Sequence, residues 1–432
     1  MKRNLKIVFI VCLALGIALG ALNLIAAGQK EHLAEIEAQQ AARKKALGQI
    51  AAADVLGINP DDVVVPDEVE LTAGDRFAMG VNGIASLLWV AAIDLVIIGA
   101  GGFLFAAWKQ RRKGQGPQKL SSGSNVLGIV IALAALCLDL AIASPVFLTS
   151  SNFLNVFQQI SINFVVAVGM TFVIISGGID LSVGSNIALS GLLMGILMKN
   201  YHVPVIVTIV GCIAFSGLIG LVNGALISFL DLPPFIATLG MMSIVRGAAY
   251  TVTAGQPIYT FPKGFTAVSG RVAGIPLWST LIMLAVILLG WYILKYTRMG
   301  RFTYAIGGNE SCAKLSGINL KKVKCFVYVV SGLCCGVAAL LLSSRLDSAV
   351  PTNADGQEMD AIAAVVIGGT SMSGGEGSMI GTLIGILIIG IIANGLNLLG
   401  VAQGPQKMVK GLIIVVAVII DVIRRKASQS SK

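Results

Sequence analysis

The sequence predicts an all-α protein that crosses a membrane many times. Of its 432 residues, 56% are apolar and only 12% are charged, whereas soluble domains carry about 25% charged residues. The apolar residues gather in runs long enough to span a bilayer, and 51 glycines allow neighbouring helices to pack closely. The net charge of +10 resides in short loops beside these runs, which indicates membrane orientation rather than nucleic-acid binding.

The first 120 residues are predicted to be an N-terminal extension with about two spans of its own. Residues 7–27 form an apolar run after a basic start, interpreted as an uncleaved anchor, with a cleaved signal peptide as the alternative. Residues 28–76 are polar, begin with a helical stretch, and are expected outside. A second apolar run covers 77–107, and the basic segment 108–119 is expected to be a cytosolic linker.

Residues 121–432 are predicted to be a ten-span transmembrane core. The basic residues of 298–324 and of 424–426 should face the cytoplasm, and counting six and ten spans from a cytosolic linker places both segments there. The loops 255–276 and 345–358 carry few basic residues and are expected outside. The expected spans are residues 126–148, 153–176, 181–199, 203–229, 234–254, 277–297, 323–344, 361–371, 379–400 and 406–423.

The polar segment 298–324, RMGRFTYAIGGNESCAKLSGINLKKVK, stands between two long apolar runs. We predict a short helix in it, capped by Asn309, with Glu310 in the first turn and a left-handed Gly317 at the end. These residues alone leave two interpretations open: a loop that is basic only for orientation, or a docking element. The residues assigned to docking are Gly307, Gly308, Asn309, Glu310, Ala313, Lys314, Leu315, Ser316 and Gly317, where Gly307 and Gly308 are expected to break the incoming chain.

Two glycine-rich turns repeat one pattern at distant places. Residues 177–184 read GGIDLSVG and residues 368–375 read GGTSMSGG, so both turns should lie on one side of the membrane. Chance similarity and an old duplication, which is common in transporters, both explain the repeat. The structural residues of these turns are predicted to be Gly177, Gly178, Asp180, Ser182, Gly368, Gly369, Gly374 and Gly375, with Asp180 capping the helix that begins near Ser182.

Polar residues inside apolar runs are the candidates for a translocation path. They are Arg246, Asn163, Asn186, Asn223 and Asn394. An arginine in a membrane points at a partner or an aqueous cavity, so Arg246 either lines the path or serves as counter-ion for Asp139 or Asp180. Asparagine side chains in membranes more commonly form hydrogen bonds between helices, and both roles stay open for them.

The motifs of common enzymes and nucleotide-binding sites do not occur in this sequence. It contains no GxxxxGK[ST], no HExxH and no GxSxG, and it has only two histidines. The seven cysteines form no CxxC pair, so neither a disulfide nor a metal site is expected. We therefore predict that the chain is not an enzyme and holds no cofactor.

Four further blocks resemble one transporter family. They are GMTFVIISGGIDLSVGSNIALSG (169–191), PPFIATLGMMSIVRG (233–247), MDAIAAVVIGGTSMSGGEGSMIGTLIG (359–385) and NGLNLLGV (394–401). Together with segment 298–324, their order and spacing resemble the permeases of ABC importers for ribose, xylose and galactose, with ribose-type permeases the nearest. The resemblance covers roughly residues 125–425 and leaves out the extension.

This resemblance implies a transport function and a set of partners. It implies a multi-pass protein of a bacterial inner membrane in which two copies form a passage for a monosaccharide. An external sugar-binding protein would deliver the sugar, and a separate ATPase, which holds ATP and Mg, would dock at 298–324. The alternative is a secondary transporter driven by an ion gradient, which needs intramembrane acids such as Asp94 and Asp139.

Overall fold

The structure, a computed structural model, describes residues 123–271 and 275–429 and a few residues between 35 and 43. Helices and two short strands make up the regular structure of this part of the chain. Six of the described helices are long and apolar enough to cross a membrane, which confirms a helical, multi-pass membrane protein. The predicted spans at 7–27 and 77–107 and the linker at 108–119 lie outside the described residues.

The described helices fall at every position where the sequence predicts a core span. Their bounds are α1 Gly123–Ala143, α2 Ser150–Ile175, α3 Val183–Lys199, α4 Val205–Phe229, α5 Pro234–Thr253, α6 Lys263–Thr266, α7 Leu277–Tyr296, α8 Arg298–Gly308, α9 Glu310–Leu315, α10 Leu320–Leu346, α11 Gln357–Ile367, α12 Met379–Leu398 and α13 Gln403–Gln429. Of the helices at predicted spans, α3 and α11 are shorter than the roughly 20 residues that a full crossing needs. The count of ten spans therefore remains a prediction.

Local sequence explains where several helices begin. The side chain of Thr149 accepts a hydrogen bond from the backbone N–H of Asn152 and so caps α2. Pro234 occupies the first position of α5, where its missing N–H costs no helical hydrogen bond. Thr297 caps α8 in the same way as Thr149, accepting from the N–H of Gly300.

Helices α2 and α10 lie at the centre of a compact unit, whose described residues are 123–141, 145–271, 275–394 and 409–429. Of the most apolar stretch of α2, 83% is buried, against 22% for α5. Helix α10 packs against α2, α3 and α4. The Ser216 hydroxyl on α4 donates to the carbonyl oxygen of Gly332 on α10 at 2.6 Å, which fixes the contact between these two helices.

Two loops that the sequence assigns to the outer side are joined by a small sheet. Strand β1, Ile258–Tyr259, pairs antiparallel with β2, Ser348–Ala349. The carboxylate of Asp347 adds to the connection, because it accepts a hydrogen bond from the N–H of Phe261 at 2.7 Å. The pairing agrees with the prediction that 255–276 and 345–358 lie on one side.

Candidate coupling segment and membrane-embedded polar residues

The predicted docking segment folds as two consecutive short helices. Helix α8 runs through Gly307 and Gly308, and the chain breaks only at the extended residue Asn309, after which α9 begins. The prediction that the two glycines break the chain is therefore wrong. Both glycines keep helical geometry, and the break belongs to the residue that caps the next helix.

The predicted cap and end of the short helix are confirmed. Asn309 Oδ1 accepts a hydrogen bond from the N–H of Cys312 at 2.9 Å, and Glu310 lies in the first turn. Lys314 lies in the last turn, so both charges match the helix dipole. Gly317 has φ +80°, and this left-handed conformation closes the helix.

Helix α9 is exposed on nearly all sides. Leu315 is 88% exposed, whereas Ala313 is 4% exposed and packs inward. Glu310 forms an ion pair with Lys324 at 2.7 Å, which connects α9 to the first turns of α10. The arrangement presents a leucine on a short, capped and anchored helix. Lys314 and Ser316 are exposed beside it.

Gly307 connects this segment to the interior. A Cβ atom at Gly307 would collide with the carbonyl oxygen of Ile175, at the end of α2, and would lie 2.5 Å from the N of Gly375. The N–H of Gly375 itself donates to the Ile175 carbonyl at 2.9 Å. The two repeated turns therefore meet beside the C-terminal end of α8, as expected for turns on one side of a membrane.

Each repeated turn opens with one left-handed glycine and one closely packed glycine, but in opposite order. Gly177 and Gly369 have φ +82° and +88°, and Gly374 and Gly375 also have positive φ. The other two glycines of the repeat, Gly178 and Gly368, pack closely against neighbours, Tyr328 in one turn and Gly381 in the other. This geometry fits the prediction of a structural role.

Asp180 is the centre of a buried hydrogen-bond network. It is 2% exposed. One carboxylate oxygen accepts from the N–H and the hydroxyl of Ser182, at 3.0 and 2.6 Å, and the other accepts from the Ser331 hydroxyl at 2.8 Å. The Ser182 hydroxyl in turn accepts from the Asn223 amide at 2.9 Å. The network joins the start of α3 to α4 and α10. The prediction that Asp180 caps α3 is wrong, because Ser182 is the N-cap residue, no side chain caps it, and Asp180 accepts the N–H of Ser182 itself, one residue before α3 begins.

Arg246 binds a loop rather than an acid. Its guanidinium donates to the carbonyl oxygens of Pro351 and Asn353, at 2.5 and 3.0 Å. Among the described residues it forms no ion pair with Asp139 or Asp180, so the counter-ion interpretation is wrong. Arg246 instead holds the segment between β2 and α11, and this leaves a role beside the path open.

Three of the five path candidates make hydrogen bonds between helices. Asn186 on α3 donates to the Ser216 carbonyl at 3.2 Å, and Asn223 belongs to the Asp180 network. Asn394 on α12 exchanges two hydrogen bonds with Asn152 on α2, at 2.9 and 3.2 Å. These contacts are the commoner role for an intramembrane asparagine.

Asn163 has a different setting, which sequence reasoning missed. It lines a small cavity with Gln357 and Asp360, and that cavity of about 10 Å³ has room for about one water molecule. Asp360 also forms an ion pair with Lys410 of α13 at 2.7 Å. The sequence did contain a signal for this ion pair, because Asp360 directly precedes one predicted span and Lys410 lies within another. Such charges are costly in a membrane unless they are paired.

A family of transport permeases matches most of this core. The family model described as a branched-chain amino acid transport system / permease component matches residues 152–418. The chain belongs to this family. No solved structure matches the chain significantly.

Sugar permeases are among the relatives of the chain. It is 44% identical over 302 residues to the ribose import permease protein RbsC of Escherichia coli K12, covering 68% of this chain and 92% of that protein. It is 46% identical to RbsC of Bacillus subtilis, over 70% of this chain and 94% of the relative. The D-allose transport system permease protein AlsC of Escherichia coli K12 is 37% identical, over 68% and 89%.

Proposed function

We propose that the chain is the membrane permease subunit of an ATP-driven ABC importer that carries a monosaccharide, of the ribose type, into a bacterial cytoplasm. The observation that carries this proposal is 44–46% identity to ribose import permeases over more than nine-tenths of their length. The allose relative supports a monosaccharide as the substrate class.

The proposal divides the chain into a core and an extension. Residues 121–432 would form a ten-span core in the inner membrane, and two copies of the chain would enclose the passage. Residues 1–120 would be an addition outside the transport cycle. The family match begins at residue 152, which supports this division.

We further propose that segment 298–324 docks the ATPase, which would be a separate subunit holding ATP and Mg. Three features support this role. The helix α9 is capped at both ends, Leu315 is exposed at its tip, and Gly307 contacts the end of α2. A displacement of α9 would therefore be transmitted to the end of α2 through backbone atoms that are in contact.

The translocation path is proposed to run beside Asn163 and Arg246. Their neighbours support this assignment, since Asn163 lines a small cavity together with Gln357 and Asp360, and Arg246 holds the loop before α11. Asn186, Asn223 and Asn394 are proposed to keep the surrounding helices in register. An external sugar-binding protein would deliver the substrate to the outer loops.

Reconstituted transport tests the function directly. We expect proteoliposomes that contain the chain, its ATPase and its binding protein to accumulate ribose only when ATP is present on the side of the membrane that carries the ATPase. A proton uncoupler should leave uptake unchanged, whereas uptake lost to the uncoupler and retained without ATP would establish the ion-gradient alternative.

A branched-chain amino acid is the second candidate substrate, because the matching family model carries that description. The same proteoliposomes decide between the two substrates when leucine replaces ribose. Leucine uptake without ribose uptake would overturn the sugar assignment and leave the ABC mechanism intact.

A further inference from the structure

A groove with both basic and apolar walls lies where α7 meets α8 and the start of α12. Its volume is about 410 Å³. Lys295 and Arg301 supply two positive charges to its lining, and no acidic residue lines it. Both side chains are exposed, and within the described part of the chain neither forms an ion pair. The groove therefore has an unbalanced positive charge.

Aromatic rings hold the lysine at the rim. The Lys295 ammonium lies 5.0 Å from the ring centroid of Trp291 and 5.4 Å from that of Tyr296, a spacing typical of cation–π contacts. Trp291 and Lys295 are four residues apart on α7, so they share one face. Tryptophan, tyrosine and lysine at the end of a span are typical of the membrane–water boundary.

Most donors of the arginine remain available to a ligand. Of the five N–H donors in a guanidinium, the described contacts of Arg301 use one, a long hydrogen bond of 3.4 Å to the carbonyl oxygen of Tyr296. The neighbouring Tyr304 is committed elsewhere, because its hydroxyl donates to the Gly377 carbonyl at 2.9 Å. Burial raises the pKa of Tyr304, which keeps the hydroxyl protonated as a donor.

Apart from Ser378, whose hydroxyl accepts the N–H of Gly381 at 3.0 Å, the remaining wall of the groove is apolar. Leu294 and Met379 are buried beneath it, and Ile380 is 56% exposed at its edge. The apolar part belongs to the ends of two predicted spans, whereas the charges lie at the boundary with segment 298–324, which the basic residues assign to the cytoplasm. A ligand that fits has a negative headgroup beside water and a hydrocarbon part that extends into the membrane.

We propose that this groove binds an anionic phospholipid of the inner leaflet, with its phosphate between Lys295 and Arg301 and its acyl chains along Ile380. Basic pockets between helices on the cytoplasmic side are known to favour such headgroups. The bound lipid would brace the junction of α7 and α8, at the start of the segment proposed to dock the ATPase.

Lipid retention by the purified full-length chain tests the proposal without any transport assay. The protein is washed in detergent with equal amounts of phosphatidylglycerol and phosphatidylcholine, and retained lipid is measured by native mass spectrometry. We expect selective retention of phosphatidylglycerol, weakened about tenfold or more in the double variant Lys295→Gln with Arg301→Gln. Millimolar inorganic phosphate should not displace the lipid.

Two further double variants separate the site from general attraction. Arg298→Gln with Lys322→Gln removes the same charge from exposed positions that do not line the groove, and should retain the lipid. The exchange Lys295→Arg with Arg301→Lys keeps both charges and should also retain it.

Three results would overturn the proposal. They are unchanged retention in the Gln variant of Lys295 and Arg301, an equal loss in the control that removes Arg298 and Lys322, or displacement by inorganic phosphate, which would indicate a free-anion site. Loss of ATPase binding with retention of the lipid in the same Gln variant would assign the groove to the ATPase instead. Because retention is measured on the chain alone, these outcomes do not depend on which substrate it transports.

Discussion

Asp180 and Asn309 make similar side-chain-to-backbone hydrogen bonds in opposite surroundings. Each accepts a backbone N–H near the start of a helix, at Ser182 and at Cys312. Asp180 is almost completely buried, and its second oxygen reaches Ser331 on another helix. The helix that Asn309 caps is exposed on nearly all sides. The comparison teaches that a side chain that accepts a backbone N–H near a helix start can either fix a core or help to present a surface.

The energetic weights of the two regions should differ accordingly. A buried polar group that loses its partner costs about 1–3 kcal/mol, because no water replaces the lost hydrogen bond. An exposed ion pair such as Glu310–Lys324 contributes about 0–1 kcal/mol. Changes around Asp180 should therefore lower stability, whereas changes on α9 should alter partner binding and leave stability nearly unchanged.

The largest effect is expected at Gly307, where α8 meets the end of α2. Gly307→Ala would place a methyl group against the Ile175 carbonyl, and the required backbone shift should lower stability by about 3 kcal/mol. Gly308→Ala is the matched control, since a Cβ there meets no atom within 4 Å, and alanine favours a helix. The unfolding temperatures of both variants in detergent check this. Equal temperatures would show that α8 moves freely against α2.

The second effect concerns the buried network itself. Asp180→Ala leaves the Ser182 N–H and the Ser331 hydroxyl without their acceptor, and should lower the free energy of unfolding by about 2 kcal/mol. Asp180→Asn keeps one acceptor oxygen and should lose less. Unfolding of the three proteins in one detergent measures the order. If both the Asp180→Asn and the Asp180→Ala variants were as stable as the native chain, the network would not stabilise the core.

The third effect should appear in binding alone. Leu315→Asp places a charge on the exposed tip of α9, and should weaken co-purification of the ATPase about tenfold or more with an unchanged unfolding temperature. Leu315→Met is the control that keeps an apolar tip. Gly317→Val strains a left-handed residue and should also weaken binding. Full ATPase binding in the Asp and Val variants would remove the docking role from this segment.

The smallest effect is expected at the surface ion pair. Lys324→Gln and Glu310→Gln should each change stability by less than about 1 kcal/mol, and the double variant should show little coupling. Comparing unfolding at low and high salt isolates the charge contribution, which salt should reduce. A coupling of several kcal/mol would mean that α9 is part of the core.

The sequence predicted the helical membrane class and the cap at Asn309 because both depend on local patterns. Long apolar runs, a capping asparagine and a terminal glycine each act within a few residues. The sequence misplaced the break at Gly307 because glycine is also chosen for close packing, and the packing partner, Ile175, is far away along the chain.

The contacts that charged residues make also could not be predicted from the sequence. One of the two interpretations of Arg246 paired it with Asp139 or Asp180, because charges in a membrane are costly unless they find a partner. The structure gives it two backbone carbonyls, at Pro351 and Asn353. The pairing of Asp360 with Lys410 was missed for the same reason, since both depend on how distant helices are placed in space.

Helix α10 has a mechanical consequence. It starts at Leu320, within segment 298–324, with Asn319 as its cap, and a single residue separates its end from strand β2. Its 27 residues make a continuous rod of about 40 Å. If a nucleotide-driven partner displaced the end of α10 that belongs to segment 298–324, the far end would tilt or shift as a lever does. The strand pair at Ile258 and Ala349 would then move with it. Motion at one end of α10 would therefore reach the other end without a chain of side-chain contacts.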